Sequence, residues 1–161
     1  MHTRGLLAAG MLCWLAVAAG AAPGVSALQV RDAWVRWLPA ELPAAGYLTL
    51  VNSSDQPASL IAASSPDYAE VSLHRSRIVD GANQMEPVRE IAVAAHASLA
   101  FATHGYHLML LHPTRPLKPG DHVPVTLNFA GGAALTVQFE LRSPDTGAGA
   151  AHMPDMPGMS H

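Results

Sequence analysis

Short apolar stretches separated by turn residues run from Leu28 to about Arg142, and none of them carries a sustained helical stripe. The alternation is clearest in two neighbouring stretches, 123–129 and 135–141, where every second residue is apolar. A small Gly-rich segment, 130–133, joins them as a hairpin connection. The pattern therefore predicts an all-β domain with strands near 29–37, 46–51, 59–63, 70–79, 82–87, 90–93, 106–111, 122–129 and 134–141.

Turn residues punctuate these strands at 52–55, 65–67, 80–81 and 118–121. Many short strands at such spacing are typical of a β-sandwich or a Greek-key barrel. A chain of 161 residues has room for one such domain with short appendages, and the sequence contains no domain-scale repeat. We expect one β domain over residues 28–143.

The two ends of the chain differ from this domain. Residues 1–27 have the layout of a secretory signal peptide, with Arg4, an apolar run over 6–19 and small residues before a cleavage point after Ala27. An uncleaved anchor is the alternative, but the run is shorter than the roughly 20 residues that span a bilayer. We expect export to the periplasm and no membrane-spanning segment after processing. Residues 144–161 read as a flexible linker followed by a disordered tail rich in Met and His.

Composition and charge narrow the function. Half of the residues are hydrophobic and 13% are charged, which suits a globular domain. Removal of Arg4 with the leader leaves eight basic and twelve acidic residues, a net charge of −4, and no basic stripe that would bind nucleic acid. The single cysteine, Cys13, lies in the leader, so the mature chain has no disulfide framework.

Methionine and histidine carry the candidate chemistry, because the methionines that follow the leader lie in segments that also hold histidine or face one that does. His107 and Met109 are two residues apart on a predicted strand, so their side chains share one face, which we expect to be otherwise hydrophilic. If Asp80 and Gly81 form a two-residue turn, Ser76 opposes Met85. His74 and Met85 then become diagonal neighbours, roughly 7–8 Å apart between Cα atoms.

Two imidazoles and two thioethers form an uncharged donor set that favours Cu(I) over zinc. Without a cysteine thiolate, the set lacks the strong donor of blue-copper electron-transfer sites. A Cu(I) ion held by neutral donors near a surface can pass to a thiolate site by ligand exchange. The residues therefore indicate a copper carrier.

The spacing of these four residues resembles the H-x10-M-x21-H-x-M signature of the periplasmic PCu(A)C copper chaperones. The stretches 44–52, 85–88 and 116–121 are also similar to that family, so the resemblance covers nearly the whole mature domain. It implies a cupredoxin-like Greek-key barrel that binds Cu(I) through His74, Met85, His107 and Met109. Some members carry a further Met after the first His, where this chain has Arg75 and Ser76.

The resemblance also implies partners and a second site. Family members supply copper to the CuA centre of cytochrome c oxidase, so we expect the CuA domain of subunit II or a thiol-containing assembly factor as the recipient. The tail resembles the Met/His-rich extension of some members, which takes Cu(II) through imidazole and Cu(I) through thioether. Its candidate ligands are His152, Met153, Met156, Met159 and His161.

Other functions stay open at this point. Periplasmic copper sequestration or resistance would use the same residues as a sink. A copper oxygenase would need His as the first mature residue, whereas Leu28 is predicted there, and no Gly-x-Ser-x-Gly elbow indicates a hydrolase. A metal-free scaffolding sandwich, with incidental His and Met, is a further possibility. We expect a carrier and not an enzyme.

Overall fold

A computed structural model describes residues 25–39 and 42–144. Within them, one 3-10 turn, Val25–Ala27, precedes ten strands, which are β1 Leu28–Arg36, β2 Ala44–Asn52, β3 Ala58–Ser64, β4 Tyr68–Val79, β5 Ala82–Pro87, β6 Ile91–Val93, β7 Ala97–Ala100, β8 Tyr106–Pro113, β9 His122–Phe129 and β10 Ala134–Arg142. The predicted all-β class is confirmed. Nearly all of the predicted leader and the whole Met/His-rich tail from 145 onward lie outside the described residues.

The strands form one bent sheet in the order β5-β4-β8-β2-β1-β10-β9-β3-β6. Neighbours are antiparallel except β1 and β10, which run parallel. Strand β2 is forked, since its first residues pair with β8 and its last residues pair with β7. The sheet therefore bends around a single core at β2, and it places β8 between β2 and β4.

The alternation in the sequence sets the core. All four apolar positions of β9 that share a face, from Val123 to Phe129, are buried, and Phe139 and Leu141 of β10 join them. Burial of such side chains supplies roughly 1.5–3 kcal/mol each relative to exposure, so this face contributes substantially to stability. The β9–β10 hairpin closes at 130–133, where Gly131 and Gly132 both have positive φ.

The structure contains one strand, β7, that the sequence pattern does not predict. The segment Ala97–Ala100 has the sequence Ala-Ser-Leu-Ala, which contains no β-branched or aromatic residue and carries little strand signal. It becomes a strand because it pairs with the second half of β2, opposite residues 49–52. Long-range pairing thus overrides a weak local preference.

The β4–β5 hairpin has the turn that the sequence predicts. Asp80 and Gly81 both have positive φ, 52° and 78°, as the two central residues of a type I′ turn require. Val79 consequently opposes Ala82, and Ser76 opposes Met85. The predicted register of this hairpin is confirmed, and it decides which face of β5 carries the thioether.

Candidate metal centre

Three adjacent strands bring the four predicted residues onto one face of the sheet. His74 of β4 lies directly opposite His107 of β8, and Met109 lies opposite Ser72. Met85 of β5 lies opposite Ser76, two residues along β4 from His74. Because paired residues and residues two apart share a face, both imidazoles and both thioethers project from the same side.

His107 is the deepest of the four, with 3% of its surface exposed. Its Nδ1 lies 3.3 Å from the carbonyl oxygen of Gly105, which can only accept, so Nδ1–H is the donor. In the neutral ring the lone pair is then on Nε2, which is buried and has no hydrogen-bond partner among the described residues. A buried nitrogen of this kind is costly unless something binds it.

His74 has the same arrangement at its own ring. Its Nε2 lies 3.1 Å from the hydroxyl of Ser72, while its Nδ1 is buried and has no partner in the part of the chain that the structure describes. When Nε2 donates to Ser72, Nδ1 carries the free lone pair. Each imidazole is thus oriented by one neighbour and presents its other nitrogen unpaired, as ligating histidines commonly do.

Burial lowers the pKa of both histidines below the ordinary value of 6.5. For His107, the hydrogen bond to Gly105 opposes this effect, and the charges of His74 and Arg36 add to it. For His74, the carboxylate of Glu70 opposes it. Both rings are therefore neutral at pH 7, the state in which a metal ion can bind them.

The distance between the two imidazoles suits the binding of one shared metal ion. The ring centroids of His74 and His107 are 5.9 Å apart, and imidazole nitrogens bind first-row metals at roughly 2.0–2.1 Å, so the two rings can hold one ion between them. His107, Met85 and Met109 line a cleft of about 250 Å³. Met85 is 49% exposed, which leaves this cleft open to solvent on the β5 side.

One expectation about this face is wrong. The sequence predicts a hydrophilic face around His107, but Tyr47 of β2 is 5% exposed and its ring centroid lies 6.5 Å from that of the imidazole. Trp34 of β1 packs against Tyr47 in turn, with ring centroids 4.8 Å apart and ring planes tilted by 37°. Aromatic packing therefore forms one side of the site, next to the buried His107.

The structure adds residues that the sequence did not mark. Arg36, Tyr47 and Ser76 line the same cleft, together with Asn83 and Thr103. Arg36 and Tyr47 belong to β1 and β2, which lie far from the His/Met segments in the chain and meet them only through strand pairing. The one signal available was that Trp34 and Arg36 are two apart on a predicted strand and so share a face.

Other clefts and side-chain clusters of the described region do not form a second candidate metal site. A larger cleft of about 410 Å³ lies between Trp37 and Leu117 and contains none of the four predicted donors. Across residues 25–39 and 42–144, no three His, Cys, Asp or Glu side chains gather into a metal site. Over the same ranges, no helix has the length and hydropathy to cross a bilayer.

The fold and the cleft define a cupredoxin-like β domain of the PCuAC type with a mixed His/Met face. The chain belongs to the LpqE-like family, whose model, described as "Putative lipoprotein LpqE-like", matches residues 28–141. A protein of Leifsonia xyli subsp. xyli (strain CTCB07), described as "Putative lipoprotein Lxx21020", is 29% identical over 123 residues, which is 74% of each chain.

Solved PCuAC domains have the same fold. The copper-bound PCuAC domain from PmoF2 is 24% identical, with a TM-score of 0.62, and the match covers 73% of this chain and 94% of that one. The apo form of DR1885 from Deinococcus radiodurans is 29% identical over 88% of this chain and 95% of its own, with a TM-score of 0.57. Its Cu(I) form is 29% identical over 78% and 83%, with a TM-score of 0.54. The predicted cupredoxin-like fold and the resemblance to the PCu(A)C family are confirmed.

Proposed function

We propose that this protein is an exported copper carrier that binds Cu(I) through His74, Met85, His107 and Met109. The observation that carries the proposal is the pair of unpaired imidazole nitrogens, His107 Nε2 and His74 Nδ1. They lie on the same face as two thioethers. A carrier of this kind is a binding protein and not an enzyme, and the copper ion is its cargo.

The donor set selects the oxidation state. Zinc sites are built from thiolate, imidazole and carboxylate, whereas thioether sulfur is a soft ligand that suits Cu(I). Among the described residues that line the cleft, none is Asp or Glu. A cation bound here would keep its full charge, which is least costly for a monovalent ion.

The exposure of Met85 supports transfer rather than permanent storage. Because this thioether is half exposed, an incoming sulfur ligand can replace it before the two imidazoles release the ion. Thiolates bind Cu(I) more strongly than thioethers, so exchange runs toward a recipient that carries cysteine. A CuA domain of cytochrome c oxidase subunit II, or a thiol-containing assembly factor, meets this requirement.

The comparisons support the same conclusion from outside the chain. DR1885, which is 29% identical, is described in a Cu(I) form, and the PmoF2 domain with the same fold is described as copper-bound. The description of the family as "Putative lipoprotein LpqE-like" supports export of the protein. The predicted signal peptide over 1–27 supports export independently.

A Cu(I) titration against a competing colorimetric chelator, under anaerobic conditions, tests binding. We expect one tight site in the β domain, and His107→Ala and Met109→Ala should each weaken Cu(I) binding to it. Loss of a residue that only supports a metal ligand costs roughly 10–100-fold in affinity, so His107→Ala should lower the affinity by at least about 100-fold. His122→Ala, at an exposed position of β9, is the matched control. Equal affinity in all four proteins would exclude this site.

Delivery and sequestration are separated by a second experiment. Mixing the Cu(I)-loaded protein with an apo CuA domain should move copper to the recipient, at a rate that falls when the recipient's cysteines are blocked. A sequestration or resistance protein would keep its copper in the same mixture. Retention of copper by the loaded protein would therefore favour the alternative function.

A further inference from the structure

Arg36 is the one charged residue among the described residues that line the copper cleft. It lies at the end of β1, opposite Ala45 of β2, and Ala45 lies opposite Met109 of β8. These three residues form one row across the sheet, so they project from the face that carries the predicted ligands. Ala45 is small, so the long side chain of Arg36 can extend over it toward Met109.

The guanidinium group is not neutralised in the described part of the chain. No carboxylate forms an ion pair with Arg36 there, and its Nε is buried without a hydrogen-bond partner. The carboxylate of Glu140, on the neighbouring strand β10, pairs instead with Arg142.

The positive charge of Arg36 reaches the site. Its side chain lines the same cleft as His107 and Met109, and no carboxylate is among the described residues of that lining. A metal ion bound at His107 meets the repulsion of this charge, which grows in proportion to the charge of the ion. A divalent ion therefore loses twice the free energy that a monovalent ion loses.

We infer that Arg36 is the residue that sets the charge selectivity of the cleft, by penalising Cu(II) and other dications more than Cu(I). The inference rests on the proposed function and adds a determinant of charge selectivity, which the four neutral donors do not provide. Imidazoles alone accept Cu(II) readily. A fixed cation beside them biases the bound metal toward the cuprous state and raises its reduction potential.

Neutralising Arg36 should raise the affinities for Cu(I) and Cu(II) by two different but related factors. If Arg36→Gln strengthens Cu(I) binding about tenfold, it should strengthen Cu(II) binding about 100-fold, because the electrostatic energy scales with ionic charge. The ratio of the two affinities then changes about tenfold, which lowers the potential of the bound copper by about 59 mV for a one-electron couple. Loss of packing alone would weaken the binding of both ions. It would not produce a gain in binding free energy that is twice as large for Cu(II) as for Cu(I).

The test uses the full chain with the five tail donors replaced by Ala, so that His152, His161 and the tail methionines cannot compete for copper. Cu(I) and Cu(II) affinities are measured with chelators specific for each state, and the potential is measured with redox mediators. Arg36→Gln and Arg36→Leu are the neutral variants, and Arg36→Lys keeps the charge. Arg31→Gln, at an exposed position of the same strand, is the control.

The inference predicts the two-to-one gain and the lower potential in both neutral variants, with Arg36→Lys and Arg31→Gln close to the parent protein. Equal fold-changes for Cu(I) and Cu(II), or an Arg36→Lys variant that behaves like Arg36→Gln, would overturn it. Failure of the parent protein to bind Cu(I) would instead overturn the proposed function, so the two failures are distinguishable.

Discussion

His74 and His107 lie directly opposite each other on β4 and β8, with ring centroids 5.9 Å apart. The next pair in the same register is Leu73 and Leu108, and both leucines are buried in the core. A slip of one residue by either strand would turn its leucine outward and its histidine to the other face. Core packing therefore fixes the relative position of the two imidazoles.

Replacement of Met85 by Leu should weaken Cu(I) binding about tenfold while it leaves the unfolding midpoint unchanged. The side chain is half exposed, so its loss affects a ligand and little packing. The double variant Met85→Leu/Gln84→Met is the matched control, because it moves the thioether to the other face of β5. Chelator competition is the measurement, and full recovery in the double variant would contradict the assignment of Met85.

The stability of the metal-free protein should fall as the pH drops below about 6.5. Both histidines have a pKa that burial lowers in the folded state, so the unfolded chain binds protons at a higher pH than the folded chain. Their stabilising contribution is complete at a pH above the histidine pKa of the unfolded chain. It is lost as the pH falls through the lower pKa values of the folded chain. Urea midpoints at pH 7.5 and pH 5 measure the drop.

The same experiment on His107→Gln should give a smaller difference between the two pH values, and His74→Gln should act in the same direction. His122→Gln, on the exposed face of β9, is the comparison variant. An unchanged pH dependence in both site variants would show that other groups control acid stability.

Gly46→Ala should destabilise the fold by about 1–3 kcal/mol, the usual cost of overpacking. A Cβ at this position would lie 3.2 Å from Leu108 Cβ and 3.2 Å from Leu110 Cδ1. Because Leu108 Cβ is attached to the β8 backbone, β8 itself would have to shift, and His107 with it. Thermal unfolding and Cu(I) affinity should both decline.

Gly105→Ala provides the matched control for this substitution. A Cβ there would contact only the carbonyl oxygen of Ala102 at an ordinary 3.7 Å, and the carbonyl of Gly105 would still accept from His107. Equal losses of stability in the two alanine variants would contradict the packing explanation.

Asn52→Ala should lower the free energy of unfolding by roughly 2 kcal/mol, within the range expected when buried polar groups lose their partners. Asn52 is fully buried, and its Nδ2 lies 2.8–3.3 Å from the carbonyl oxygens of Gln56, Val93 and Ala94. Its Oδ1 accepts from the backbone and hydroxyl of Ser54. Copper affinity should not change, and Asn128→Ala at a partly exposed position is the control.

Removal of residues 144–161 should reduce the number of copper ions bound and slow their transfer to the recipient. Five candidate donors are lost with this segment, and a tethered tail would raise the effective copper concentration at the cleft. Stoichiometry by metal analysis and the transfer rate to an apo CuA domain are the readouts. If neither changes, the tail has no part in copper handling.

Local signals were sufficient for nine of the ten described strands and for one hairpin register. The turn chemistry of Asp80 and Gly81 placed Met85 on the correct face, because the geometry of a two-residue turn is determined locally. The spacing of His107 and Met109 gave their shared face for the same reason. Strand β7 was missed because its pairing with β2, and not its own sequence, makes it a strand.

The environment of the site was not accessible from the sequence. The buried His107 lies next to Tyr47 of β2, and the charge at the cleft comes from Arg36 of β1. Neither pairing has a local signal, since each depends on which strands become neighbours in the bent sheet. The candidate donors could be named from the sequence, whereas the residues that surround them could be identified only from the fold.

Strand β5 is an edge of the sheet and pairs with β4 alone among the described strands, whereas β4 and β8 each have a neighbour on both sides. Three of the four candidate donors therefore lie on strands that are paired on both sides, and the fourth, Met85, lies on a strand that is paired on one side. In the proposed carrier, movement at this single edge strand would be enough for metal entry and release, while the two imidazoles keep their spacing.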